Sequence, residues 1–354
     1  MRNVIVLFVV MILIGFGVYL IGAPNNNIDK QSNDLVSVNE VKNKLAWGVG
    51  FDPHPNGIHQ DKYLLEHLDK VKDLDLDIVR VEVPQWTDKP YEYLDPVVDR
   101  LIAEGIEVVI AFQPNKAFEE YEKNDDLRND SYHRAYDIAK HYSQKNIRYF
   151  QMGNEVATGS VKPGWPGRDD RSYIPEKYNM IYAWLDGASS AISDVDRNFK
   201  KIITGHWLHY GFFDKLNRDG LEYDIIGWDW HQESPYLVDI ESDGMKINLI
   251  DELEKLGKEL WITEGNSLYG SYYGESYQAQ YLDKMINHII DSGKFSTFMF
   301  LSIYDGIPKP NDPKDSVLGL RKMNKTDGVL ELGEAKEVYD LVKSIINKNK
   351  NEKN

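Results

Sequence analysis

The chain contains no cysteine, which removes disulfides, thiolate metal sites and cysteine nucleophiles. Positive charge is also scarce: 41 Lys and Arg stand against 57 Asp and Glu, a net charge of −16. Phosphate backbones and anionic membrane surfaces reward basic proteins, so nucleic acid is not an expected partner. The 9 histidines form no set with neighbouring carboxylates; His206/His209 and His54/His59 are isolated pairs, and neither a metal nor a cofactor is expected. No Gly-x-Ser-x-Gly elbow occurs. Gly48-Val49-Gly50-Phe51 lacks the third glycine of a nucleotide-binding turn. A Schiff-base lysine should sit inside a strand, and only Lys200-Lys201 come near, at the wrong end of one. There is no short-period repeat.

What the chain does hold begins with an apolar run, 4–23, after Met1-Arg2-Asn3. About 20 such residues span a bilayer. With Arg2 as the sole preceding charge, the rest of the chain is expected outside. The run reads as a membrane anchor or a signal peptide; Pro24 after Ile21-Gly22-Ala23 makes a poor cleavage site, which favours the anchor. Residues 24–44 are polar and Asn-rich and read as a flexible linker; 347–354 read as a charged, disordered tail. The expected location is extracellular or in the cell envelope, with the N-terminal segment as the sole membrane contact, and the protein is expected to act as a monomer.

Roughly 300 residues lie between these ends, ample for one large core. From Leu45 onward short β-favouring runs alternate with helical stripes. The runs are 46–51, 78–83, 108–112, 147–152, 202–206, 225–230, 260–263 and 297–303. Leu64, Leu65, Leu68 and Val71 mark one helical stripe, and Val97, Val98, Leu101 and Ile102 another. Strands alternating with helices imply a parallel sheet. Eight such units predict an α/β fold, a closed (β/α)₈ barrel over 45–346, with a doubly wound open sheet as the rival.

Barrel sites form at the C-terminal ends of strands, and two of these ends carry a glutamate. The fourth run ends in Gly153-Asn154-Glu155 and the seventh in Thr263-Glu264-Gly265. Of the three Asn-Glu pairs in the chain, only Asn154-Glu155 ends an apolar strand. Glycoside hydrolysis needs such a pair, one carboxyl as proton donor and one as nucleophile or base. A surface salt bridge would account for either glutamate alone, less readily for both.

These two motifs resemble glycoside hydrolase clan A, retaining enzymes on (β/α)₈ barrels, with families 5 and 39 both compatible. The resemblance implies Glu155 as acid/base and Glu264 as nucleophile. It implies that Asn154 bonds the sugar 2-hydroxyl, that Arg80 at the second strand end pairs with the nucleophile, and that His231 after the sixth strand hydrogen-bonds it. The clan often carries a Trp at the eighth strand as floor of the subsite; this chain has Tyr304 near there, which puts the sugar identity in doubt. Further substrate-binding candidates are His206 and Trp207 at the fifth strand end, Gln113 at the third, and Trp165 in the loop after Glu155. Trp86, Tyr269, Tyr272 and Tyr273 also follow strands, where rings either stack on pyranose faces or pack the loops. The resulting expectation is a retaining β-glycosidase acting inside a polysaccharide. The alternatives are a non-catalytic, envelope-tethered carbohydrate-binding barrel and a metal-dependent hydrolase.

Overall fold

The computed structural model describes residues 44–51, 61–85, 87–306, 315–326 and 329–351. The first strands in chain order are β1 (Ala46–Phe51), β2 (Ile78–Glu82), β3 (Glu107–Phe112), β4 (Tyr149–Met152), β5 (Lys200–His206) and β6 (Ile225–Trp230). A small antiparallel hairpin, β7 (Ile240–Ser242) and β8 (Met245–Ile247), precedes the last two barrel strands, β9 (Glu259–Gly265) and β10 (Thr297–Phe300). β10 closes on β1, with Ala46 opposite Thr297, so eight parallel strands form the expected closed barrel and the open sheet is excluded. A second hairpin, β11 (Arg321–Thr326) and β12 (Val329–Ala335), follows the eighth strand.

Eight helices alternate with these strands: α1 (Asp61–Asp73), α2 (Pro90–Ala103), α3 (Asn124–Tyr142), α4 (Pro175–Val195), α5 (Tyr210–Arg218), α6 (Leu249–Glu254), α7 (Glu275–Ser292) and α8 (Glu337–Asn351). Local chemistry sets several ends. Pro90 and Pro175 occupy the first turns of α2 and α4, where no amide donor is missed. Asn248 caps α6 by accepting from the Asp251 amide. α7 stops at Gly293, whose φ of 61° is the left-handed C-terminal turn.

Strand alternation divides the core into two layers. Outward-facing Trp47, Val79, Phe150, Ile203, Trp228, Ile262 and Phe298 join the helices in one continuous apolar cluster. Inward-facing Ile78, Val109, Ile202, Ile225, Trp261 and Met299 form a separate plug inside the barrel. Two residues above members of that plug, on the same face, stand Arg80, Thr204 and Gly227. The plug is thus the floor, and polar side chains begin directly above it.

The segment expected to fray after Asn347 instead continues α8 to Asn351. Its contacts explain the order: Asn349 accepts a hydrogen bond from the Trp47 indole at 3.3 Å, and Lys350 bridges Asp75 and Asp77 at 3.0 and 2.8 Å. Among the described residues no helix is long and apolar enough to cross a membrane. The apolar run 4–23, residues 24–43 and 352–354 lie outside the described residues, as do Trp86, His54 and His59.

Candidate active site

Glu264 leaves the seventh barrel strand pointing inward, and a register shift makes this possible. β6 pairs Trp228 with Ile262 but Asp229 with Glu264, so β9 carries one extra residue, Thr263. The pairing of β9 with β10 slips at the same place. Strict alternation would put Glu264 on the outer face with Ile262; the bulge re-aims it into the barrel. There the Arg80 guanidinium, from β2, pairs with one carboxylate oxygen, and His231 Nε2 lies 3.3 Å from the other. Burial pushes the Glu264 carboxyl upward, but the Arg80 charge and the His231 contact outweigh it and hold the group down at about 2. Glu264 is therefore a carboxylate at any ordinary pH.

Glu155 sits above β4 through a different device. Gly153 has φ 74°, and a side chain there would strike Val156 Cγ1 at 2.4 Å. Glu155 itself is left-handed at φ 47°, a strained geometry for a residue with a Cβ. Two partners hold the turn: the Glu155 amide donates to Thr204 Oγ1 at 2.8 Å, and the Thr204 hydroxyl donates onward to Asn154 Oδ1 at 3.4 Å. Gln151 Nε2 donates to the same Asn154 oxygen, at 3.3 Å. With its oxygen held from below, Asn154 presents its amide nitrogen to the open mouth. The Glu155 carboxyl is pushed up to about 7, first by burial and then by the Glu264 charge, with His231 and Arg80 pulling the other way. Two carboxyl groups that feel each other's charge thus divide into one charged and one protonated near neutral pH.

A third carboxyl lies between them and the floor. Asp229 is fully buried and accepts from Thr263 Oγ1 at 2.6 Å. Burial, then the Glu264 and Glu155 charges, push it well above the usual carboxylate value despite Arg80 and the Thr263 hydrogen bond. Asp229 and Thr204 are not among the candidates legible in the sequence. They stand inside strands, where no turn residue or motif marks them.

The structure brings Glu155, Glu264, Asn154, Arg80, His231 and His206 to one barrel mouth. His206 Nδ1 lies 3.4 Å from Glu155 Oε2. Trp207 follows it at φ 51°, half-buried, with its ring stacked on Trp230 at 6.2 Å between centroids. Gln113 stands at the exit of β3, its carbonyl accepting from Arg134 Nε at 2.9 Å. Trp165 is exposed, with the Lys162 ammonium 5.3 Å from its ring centre. Its loop is tied to the β7–β8 hairpin by the Arg168–Asp243 pair at 2.6 Å. Tyr269, Tyr272 and Tyr273 pack on one another edge to face.

Tyr304 is a correction. It has no exposed surface, so it presents no floor to a ligand. Its hydroxyl donates to Glu66 Oε1 at 3.0 Å and its ring packs against His67, both on α1. β10 ends at Phe300 rather than continuing to Ile303, which lets the chain turn Tyr304 behind the barrel.

No protein-family model matches this sequence, and no curated protein matches it. Solved structures do. A family 1 β-glucosidase from Thermotoga maritima superposes with a TM-score of 0.62 at 12% identity, over 87% of this chain and 99% of that one. Xylanase 10B from the same organism gives 0.59 at 15%, over 88% and 97%. A β-glucosidase from Pyrococcus furiosus gives 0.63 at 11%, over 86% and 95%. At such identities the likeness is one of fold: the chain shares the (β/α)₈ barrel of these β-glucosidases and this xylanase.

Proposed function

We propose that the protein is a retaining glycoside hydrolase of the clan A type, cutting β-linkages within a polysaccharide. The observation that carries the reading is the placement of two carboxyls at one barrel mouth, Glu264 held by Arg80 and His231 and Glu155 on the turn fixed by Thr204, an arrangement that lowers the pKa of the first and raises that of the second. In the first step the Glu264 carboxylate bonds to the anomeric carbon as the glycosidic bond breaks. The electron pair leaves with the glycosidic oxygen, which takes the Glu155 proton. In the second, the Glu155 carboxylate takes a proton from water as the water oxygen attacks, and the bond to Glu264 breaks with its electrons returning to the carboxylate. Asn154 would donate to the sugar 2-hydroxyl. Arg80 and His231 hold Glu264 for in-line attack, and Trp207 offers a stacking face. The β-glucosidases and xylanases that share the fold support this substrate class. A non-catalytic sugar binder would have no use for two carboxyls in opposite protonation states. We further propose that the apolar run 4–23 holds the enzyme at the cell envelope.

The test is a panel of β-linked polysaccharides and aryl β-glycosides, with product stereochemistry followed by NMR. Retention is expected, with Glu264→Gln inactive on every substrate and Glu155→Gln impaired most where the leaving group is poor. Inverted product, or undiminished activity of Glu264→Gln, overturns the reading.

A further inference from the structure

A carboxyl group acting as an acid has two oxygens and one proton, and catalysis depends on which oxygen carries it. At Glu155 one oxygen faces an imidazole. His206 Nδ1 lies 3.4 Å from Oε2 and also 3.4 Å from Thr158 Oγ1. The same strand grips Glu155 twice, since Thr204, two residues before His206, accepts the Glu155 amide. The imidazole is itself fixed from behind: the His209 ring packs against it at 4.4 Å and 63°. His209 is wedged in turn, because Gly167 approaches so closely that a Cβ there would meet its ring at 2.3 Å.

This contact is not an ion pair at any pH. Burial, with the His231 charge, pulls His206 down to about 4, and burial pulls His209 to about 3. Glu155 ionises only near 7. The imidazole is therefore neutral before the carboxyl becomes charged, and the two stand 3.4 Å apart, a spacing that catalytic contacts often show before substrate is bound. Thr158 Oγ1 can accept from Nδ1, and an ionised Glu155 carboxylate can only accept, so the tautomer with hydrogen on Nδ1 is the one that suits the ionised acid.

We propose, resting on the glycosidase reading, that His206 is a positioning residue for Glu155: its Nδ1–H occupies Oε2 and so leaves the acid's single proton on Oε1. In the first step that Oε1 proton passes to the leaving oxygen; in the second Oε1 receives the proton of the attacking water; the Nδ1–H bond stays intact in both. The other groups facing this pair are Glu264, Arg80 and His231 across the mouth, Asp229 below, and His209 behind the ring, with Thr158 and Thr204 uncharged. Removing a donor to the ionised carboxylate raises its proton affinity. The opposite tautomer, with Nδ1 accepting from a protonated Oε2, reverses that sign.

The experiment uses His206→Phe and His206→Asn in the full chain, the second retaining an amide N–H near the Nδ1 position. Carboxyl-¹³C NMR, with Glu155→Gln for assignment, reads the Glu155 titration without needing turnover. Upward movement in His206→Phe and return in His206→Asn are expected. On phenyl and dinitrophenyl β-glycosides, the phenyl substrate should lose about tenfold in kcat and the activated one far less, with the alkaline limb of kcat/KM moving up alongside the titration. An unmoved or lowered titration, or an equal loss on both substrates, overturns the proposal. A wild-type protein that cleaves no glycoside overturns the glycosidase reading instead, and the titration still decides the contact.

Discussion

The two glutamates differ in what surrounds them rather than in what they are. Both are shielded from solvent and both have an imidazole near, but Glu264 alone has a guanidinium paired with it, while Glu155 faces the charge of Glu264. The proposed mechanism requires Glu264 charged and Glu155 protonated. It should therefore hold a plateau, fall as pH rises through about 7, and fall again only as pH drops toward about 2. A kcat/KM profile with its alkaline limb near 5 would contradict this. Asp229 yields a sharper expectation. Its upward shift favours the neutral form; if that form is the working one, Asp229→Asn preserves both charge and the acceptor for Thr263, and kcat should change by no more than a few-fold. A loss of orders of magnitude in steady-state kinetics would mean the group works as an anion. At this scale, legibility in the sequence follows position. Glu155, Asn154 and His231 sit just past strand ends, where a barrel puts its chemistry, and are readable there; Arg80, expected at the second strand end, stands inside β2 with Val81 and Glu82 still paired beyond it. Asp229 and Thr204 are ordinary strand residues until the barrel closes. Tyr304 was misplaced because the eighth strand ends early, and nothing in its run of apolar residues marks that end.

Among the elements, the eight barrel strands were legible because each is a β-favouring run next to a helical stripe. The two hairpins were not. β7 and β8 have three residues each, too few for an alternation to register. The bulge in β9 was likewise invisible, since Leu260 to Gly265 reads as a regular strand. α8 was read too short because its last turn is charged, and only the folded barrel supplies Trp47, Asp75 and Asp77 as partners. Ending the chain after Asn347 removes those contacts. Urea unfolding should then show a loss of about 1–3 kcal/mol, the range for a buried hydrogen bond with a partner left unpaired. No change in midpoint would mean the last turn is ornamental.

For the whole molecule, the division of labour is vertical: an apolar floor inside the barrel, a polar layer above it, and aromatic loops around the rim. Among the described residues the barrel begins with β1 at Ala46 and ends with α8 at Asn351, past the expected limit of 346. A protein beginning at Lys44 should therefore be soluble, fold cooperatively by circular dichroism, and match the kcat of any longer form. Aggregation of that shortened chain would show that the run 4–23 belongs to the core.

The left-handed turn at Glu155 has a consequence for laboratory evolution. The turn suits glycine, and the half-buried carboxyl becomes unwelcome once it ionises beside Glu264. A group whose folded pKa is raised contributes stability in full below its unfolded value, near 4.3, and loses it as pH rises through about 7. Glu155→Gly relieves the backbone strain, worth about 1 kcal/mol, and removes the carboxylate that burial disfavours. Its melting temperature should exceed that of the parent, by a margin that widens between pH 5 and 8. Selection on heat resistance alone would then discard the acid, so any thermostability screen of this barrel needs turnover as a second gate.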